Sequence, residues 1–73
     1  MKTSIQAQIG KKIRELRTKL GMTQEGLAEI TGIDYKYIQK IEGKNPPNLK
    51  VETIEKIAKG LKTTPAELLK PNR

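Results

Sequence analysis

Residues 23–42, with the sequence TQEGLAEITGIDYKYIQKIE, decide the fold of this chain. Thr23 is a helix-capping residue, and the apolar residues behind it recur at helical spacing as far as Gly32. Only Ile33 separates this glycine from a second capping residue, Asp34. Because glycine tolerates the left-handed backbone of a sharp reversal, the stretch predicts two short helices that cross at a steep angle.

The second of these helices, predicted from residue 35 to about residue 42, has an apolar side and a polar side. Ile38 and Ile41 are predicted to face the core. At about 100° per residue, four other side chains point away from that core. They are Tyr35, Lys36, Gln39 and Lys40. Lysine can reach guanine O6 and N7 and a protruding helix can enter a DNA major groove, so this side is predicted to read bases. The alternative is an ordinary solvated helix face.

Apolar stripes predict three more helices around this pair. The stripe of the first helix, from about residue 4 to residue 20, is Ile5, Ile9, Ile13, Leu16 and Leu20. Within the pair, the helix that follows Thr23 is the second along the chain, and its apolar side carries Leu27, Ala28 and Ile30. The stripe of the fourth helix is Val51, Ile54, Ile57, Ala58 and Leu61. A Thr-Pro-Ala-Glu start signal at residues 64–67 opens a short fifth helix with Leu68 and Leu69.

The local signals at helix ends agree with these stripes. Thr3 or Ser4 is predicted to cap the first helix, and Gly21 to end it. No segment has the pattern of a strand, so the fold class is all-α. The sequence predicts one five-helix domain over residues 1–73, with its core in about residues 5–69 and a frayed, flexible tail from Lys70.

The composition argues against an enzyme. The chain has no cysteine and no histidine, so it lacks a disulfide, a cysteine-based metal site, the commonest general base and the commonest metal ligand. Carboxylates and lysines remain, and no pair of carboxylates has a spacing that suggests catalysis. We therefore expect no catalytic residue, no metal and no cofactor.

The charge balance predicts a polyanionic partner. The chain has 15 lysines and arginines against 8 acidic residues, a net charge of +7 and an isoelectric point near 9.9. DNA, RNA and an anionic membrane surface fit this excess, and a merely solvated basic surface is the alternative. No apolar run approaches the roughly 18 residues of a membrane span, and no signal-type stretch follows Met1. These features predict a cytoplasmic protein without membrane contact.

Four segments resemble the helix-turn-helix domain shared by phage repressors and Cro proteins, the xenobiotic-response-element family with the lambda-repressor-like fold. Residues 20–28, LGMTQEGLA, resemble its opening, and residues 32–42, GIDYKYIQKIE, resemble its turn and recognition helix. Residues 54–61 and 64–69 resemble its fourth and fifth helices. The resemblance covers about residues 9–69, and the length of the chain is similar to that of the controller proteins of restriction–modification systems.

The resemblance implies roles for single residues. Tyr35, Lys36 and Lys40 match positions that usually read base edges, with Gln39 and Tyr37 beside them. The hydroxyl of Tyr37 is within reach of a phosphate in this arrangement.

Further positions match parts of the family that contact the DNA backbone or hold the fold. Gln24 matches the glutamine that touches a phosphate and braces a side chain of the recognition helix, and Thr23 caps the same helix start. Lys44 and Asn45 lie in the loop that usually meets the sugar-phosphate backbone. Arg17 and Glu42 match a family ion pair between the first helix and the end of the third, with two independent surface charges as the alternative.

Three departures from the family pattern leave details open. Glu42 is followed directly by Gly43 and then by a proline pair, so the path of the loop over residues 43–48 is open, including the place of Asn48. Lys62 stands where a helix-ending glycine is usual, while Gly60 comes early, which predicts a distorted end of the fourth helix. Gly26 replaces the glutamate of a capping box with Thr23.

These features together predict a homodimeric repressor that reads a palindromic operator in double-stranded DNA, with two recognition helices about 34 Å apart. The predicted dimer interface is formed by Leu61, Leu68 and Leu69, unless these leucines only close the monomer's own core. One rival is an antitoxin or other module whose main partner is a protein. The other is sequence-blind binding to DNA or RNA, which would show strong salt dependence and no preferred site.

Overall fold

The computed structural model describes residues 4–70, and within that range it contains five α-helices and no strand. They are α1 (Ile5–Lys19), α2 (Gln24–Thr31), α3 (Tyr35–Ile41), α4 (Val51–Gly60) and α5 (Pro65–Leu69). The all-α prediction is confirmed, and each predicted helix is present within one or two residues of its expected ends. The alternative cap Thr3 and the tail from residue 71 onward lie outside the described residues.

Local side chains start four of the five helices. The side chains of Ser4, Thr23, Asp34 and Thr64 each accept a hydrogen bond from a backbone N–H in the first turn of the helix that follows. These bonds satisfy donors that have no partner inside a helix. The start of α4 at Lys50 has no side-chain cap, so its position depends on the packing of its apolar side.

The core is aliphatic and draws on all five helices. Its buried members are Ile9, Ile13, Leu27, Ala28, Ile38, Ile41, Ile54, Ile57, Ala58, Leu61 and Leu68. Leu16, Met22, Ile33, Tyr37 and Leu49 pack around it while remaining partly exposed. Among residues 4–70 no polar or charged residue belongs to this buried set, so the core itself is stabilised by hydrophobic burial.

The ends of the predicted stripes do not reach this core. The side chains of Ile5, Leu20, Ile30 and Val51 are 57%, 47%, 62% and 76% exposed. All four belong to the predicted apolar stripes, yet they remain exposed. Helical spacing gives the direction of a side chain, but burial also requires neighbouring residues that enclose it at that height.

Two helical glycines allow helices to approach closely. A Cβ on Gly10 of α1 would lie 2.2 Å from the carbonyl oxygen of Ile41, at the end of α3. A Cβ on Gly60 of α4 would lie 2.8 Å from methyl groups of both Ile30 and Thr31 on α2. Gly60, the last residue of α4, therefore allows the close contact between α2 and α4.

The predicted distortion at the end of α4 takes a definite form at Lys62. This residue has φ +58°, the left-handed conformation that usually falls to glycine. Its N–H donates to the carbonyl of Lys59 over 3.1 Å, and the next N–H, that of Thr63, donates to the carbonyl of Ala58 over 2.8 Å. The turn after the helix thus has the hydrogen bonds of a common helix end, but its left-handed residue is a lysine, for which this backbone conformation is strained.

Candidate nucleic-acid interface

The turn between α2 and α3 is built by one glycine and one cap. Gly32 has φ +75°, and its N–H donates to the carbonyl of Ala28 over 2.8 Å. Two residues later Asp34 starts α3. The two helices then pack directly against each other, with Leu27 and Ala28 of α2 and Ile38 of α3 fully or almost fully buried. The predicted helix-turn-helix is therefore present.

One side of α3 is solvent-exposed and polar, and we call it the reading face. It consists of Tyr35, Lys36, Gln39 and Lys40, all of which are exposed. Ile38 and Ile41 lie on the other side of the helix and are at most 1% exposed. The structure thus brings the four predicted base-reading residues together on the side of α3 opposite its buried isoleucines.

Two contacts shape the edges of this face. The amide nitrogen of Gln39 donates a hydrogen bond to the hydroxyl oxygen of Tyr35, one turn earlier, over 3.2 Å. Tyr37 is half-buried and packs against the core at the border of the face. The ring of Tyr37 is therefore held in place.

A buried ion pair fixes the end of α3 to α1. Arg17 Nε donates to Glu42 Oε2 over 2.8 Å, and Arg17 Nη2 donates to Glu42 Oε1 over 2.9 Å. The side chains of Arg17 and Glu42 are 11% and 3% exposed, so the predicted family ion pair is present as a two-pronged, largely buried contact. Arg17 Nη1 also donates to the carbonyl of Met22 over 2.8 Å, which ties in the segment before α2.

The electrostatics of this pair keep the arginine charged. The hydrogen bond to Glu42 raises the pKa of Arg17 above its usual value. Burial acts in the opposite direction, and the negative charge of Glu42 adds to the increase.

Gln24 joins the same cluster. Its Nε2 donates to Glu42 Oε1 over 3.0 Å, so Glu42 accepts hydrogen bonds from both α1 and α2. The resemblance implied that Gln24 braces a side chain of the recognition helix. In the structure the side chain that Gln24 contacts is that of Glu42, at the end of this helix, and not one of the reading face.

Lys44 and Asn45 are exposed in the loop after α3, and the end of this loop that precedes α4 contacts the rest of the domain. The side-chain oxygen of Asn48 accepts a hydrogen bond from Gln6 Nε2 in the first turn of α1, and Leu49 packs against the core. The predictions did not include the contact between Gln6 and Asn48. No local pattern links residues 42 positions apart, so the sequence contains no signal for it.

The predicted dimer interface needs correction. Leu61 and Leu68 are 3% and 1% exposed and belong to the monomer's core, so their assignment to a subunit interface was wrong. Both side chains pack within the aliphatic core, so neither leaves a surface for a partner to cover. Leu69 is 45% exposed and remains available.

Residues 4–70 contain no group of three or more side chains that could hold a metal ion. None of the helices in this range has the length and apolar character that a membrane crossing requires.

The sequence matches the helix-turn-helix family over residues 13–68, and the chain belongs to that family. Among curated proteins, it is 37% identical over 70 residues to control protein C.BamHI of Bacillus amyloliquefaciens. This match covers 94% of the chain and 85% of C.BamHI.

Solved structures show the same fold. The hypothetical transcription factor NHTF from Neisseria matches with a TM-score of 0.87 and 32% identity, over 93% of this chain and 77% of that one. The restriction–modification controller protein C.Esp1396I bound to a 19-base-pair DNA duplex matches with a TM-score of 0.80 and 33% identity. That match covers 90% of this chain and 87% of the controller protein.

Proposed function

We propose that this chain is a sequence-specific transcription regulator, not an enzyme, that binds double-stranded DNA through α3 in the major groove. The observation that carries the proposal is the reading face, four exposed polar side chains on a helix whose opposite side is buried. A net charge of +7 favours contact with phosphates. In support, C.Esp1396I has been solved both on a 19-base-pair duplex and as a tetramer on its natural 35-base-pair operator.

Within this proposal the two kinds of contact fall to different residues. The four residues of the reading face contact base edges. The phosphate contacts are assigned to Thr23, Gln24, Tyr37, Lys44 and Asn45. Phosphate contacts set the position on the duplex and base contacts select the sequence, so only substitutions on the reading face are expected to change the preferred site.

The active form is a homodimer on an inverted repeat, because a single recognition helix reads only a half-site. Leu69 on α5 is assigned to the interface, since it is a large apolar side chain of the predicted set that the core leaves exposed. Such a dimer represses by covering promoter DNA. The proposed site of action is the cytoplasm.

The test is selection of bound duplexes from a random-sequence pool at about 150 mM salt, which suppresses nonspecific binding. The expected result is an inverted repeat with half-site centres about 10 base pairs apart. Lys40→Ala is expected to change the selected sequence. Lys59→Ala removes the same charge from the exposed side of α4. It is expected to lower the affinity for DNA while the selected sequence stays the same.

A pool without enrichment would contradict the proposal. A second protein that co-purifies in stoichiometric amount would instead favour the antitoxin-like alternative, in which the main partner is a protein.

A further inference from the structure

The reading face contains two kinds of hydrogen-bonding side chain. Lys36 and Lys40 carry donors only and form no ion pair within the described part of the chain. Gln39 carries both a donor and an acceptor, and its amide nitrogen already donates to the hydroxyl of Tyr35 over 3.2 Å. The lysines remain free to turn, whereas the glutamine is held.

This hydrogen bond prepares the amide for a partner in the groove. An exposed glutamine loses rotamer freedom when it is fixed. Because the bond to Tyr35 fixes part of that freedom before binding, less is lost when DNA arrives. The bond uses one of the two amide hydrogens. When this is the hydrogen that points away from Oε1, the other N–H donor and the Oε1 acceptor of Gln39 stay available side by side.

A donor beside an acceptor matches one purine edge and not the other. In the major groove adenine presents the acceptor N7 beside the donor N6–H₂, and a glutamine amide can bind both at once. Guanine presents two acceptors, N7 and O6, so Oε1 would face O6 with no hydrogen between them. The donor-only lysines have the opposite preference and match guanine.

We infer that Gln39, held by the hydroxyl of Tyr35, reads an adenine in each half-site, so the operator contains an A·T pair at that position. The inference rests on the proposed function, since it names the base that the reading face selects. Tyr35 acts here as a positioning residue for Gln39.

The experiment starts from the operator obtained by pool selection and compares variants on it. At each conserved A·T pair, adenine is replaced in turn by guanine (with cytosine opposite) and by 7-deazaadenine, which keeps base pairing and lacks the N7 acceptor. For the wild-type protein both replacements are expected to lower affinity at one symmetric position, by about tenfold to a hundredfold for guanine. Gln39→Ala is expected to remove the discrimination at this position alone.

Tyr35→Phe tests the brace, because it removes one oxygen and keeps the ring. We expect it to reduce the adenine preference by about threefold to tenfold while the preferred base stays adenine. Lys59→Ala is the control and should keep the full preference. Melting temperatures close to wild type would show that all three variants are folded.

The possible failures are distinguishable. A selected operator in which Gln39→Ala relaxes no A·T pair would overturn the adenine reading and leave the proposed function standing. An unchanged preference in Tyr35→Phe would overturn the role of Tyr35. A pool without enrichment would overturn both the proposed function and this inference.

Discussion

Glu42 accepts three hydrogen bonds, two from Arg17 on α1 and one from Gln24 on α2. It lies directly after the last residue of α3. This one carboxylate therefore connects the reading helix to the two elements packed on either side of it. Only 3% of the Glu42 side chain is exposed, so its hydrogen bonds are shielded from water.

Arg17→Ala is expected to destabilise the domain by about 3 kcal/mol, because it leaves the carboxylate of Glu42 buried with its main partner gone. That is a large part of the roughly 4–11 kcal/mol expected for a domain of this size. Urea unfolding measures the change. The control is Lys70→Ala, which breaks an exposed ion pair to Glu67 and should cost less than about 1 kcal/mol. Equal losses in the two variants would show that burial does not strengthen the first pair.

The pH dependence of the same contact has a defined sign. The pKa of Arg17 is raised in the folded state, so its contribution is complete below the usual arginine pKa and is lost only as pH rises through the raised value. The stability difference between wild type and Arg17→Ala should therefore be the same at about pH 7 and about pH 9. A difference that shrinks between these values in urea titrations would be inconsistent with a charged Arg17.

Ile38 and Ile30 form a matched pair for burial. Ile38→Ala should cost about 2–5 kcal/mol, because the side chain is 0% exposed and its removal leaves a cavity. Ile30→Ala removes the same atoms from a side chain that is 62% exposed, and should change stability by about 0.5 kcal/mol or less. Thermal melts of the two variants make the comparison. A larger loss of stability for Ile30→Ala than for Ile38→Ala would contradict the orientation of α2 or α3 in this structure.

At the scale of the element, α4 differs from the other helices at both ends. Its N-cap residue Lys50 forms no side-chain cap bond, and Lys62, two residues after its end, has the left-handed conformation. Gly60, its last residue, lies where α2 approaches too closely for a Cβ. Packing with α2 thus takes precedence over local end signals in this helix.

Lys62→Gly is expected to stabilise the domain by roughly 0.5–1 kcal/mol. Glycine relieves the strain of the left-handed conformation, and the higher conformational entropy that it gives the unfolded chain offsets part of this gain. Urea unfolding midpoints measure the gain. Lys56→Gly is the opposite control, an exposed position inside the same helix, and should lose about 1 kcal/mol. A loss for Lys62→Gly as well would mean that its side chain makes a contact worth more than the strain.

At the scale of the whole molecule, a leucine that is buried in the core cannot also contact a second subunit. Leu61 and Leu68 are buried in the core, and Leu69 is exposed. A small domain without disulfides has few large apolar residues, so those it buries internally are unavailable for a partner.

Leu69→Asp is expected to weaken self-association and operator binding together, because it places a charge in the proposed interface, while the monomer keeps its fold. Sedimentation equilibrium measures the dimer. Leu20→Asp, at a side chain of similar exposure (47% against 45%) at the end of α1, is the control and should leave the dimer intact. A stable dimer of Leu69→Asp would move the interface to another surface.

The sequence by itself determined the number and order of the helices, the tight turn at Gly32, the caps at Thr23, Asp34 and Thr64, and the polar side of α3. Each of these depends on residues within about four positions of one another, so spacing and residue type are sufficient. The family resemblance added the pair of Arg17 and Glu42, which no local pattern indicates.

Only the tertiary structure decided the remaining features: the exposure of the stripe ends, the burial of Leu61 and Leu68, the packing role of Gly60, the turn of Gln24 toward Glu42, and the contact between Gln6 and Asn48. Each depends on how near another helix or loop comes in space. That proximity is set by the packing of the whole core, and a pattern read along one segment does not contain it.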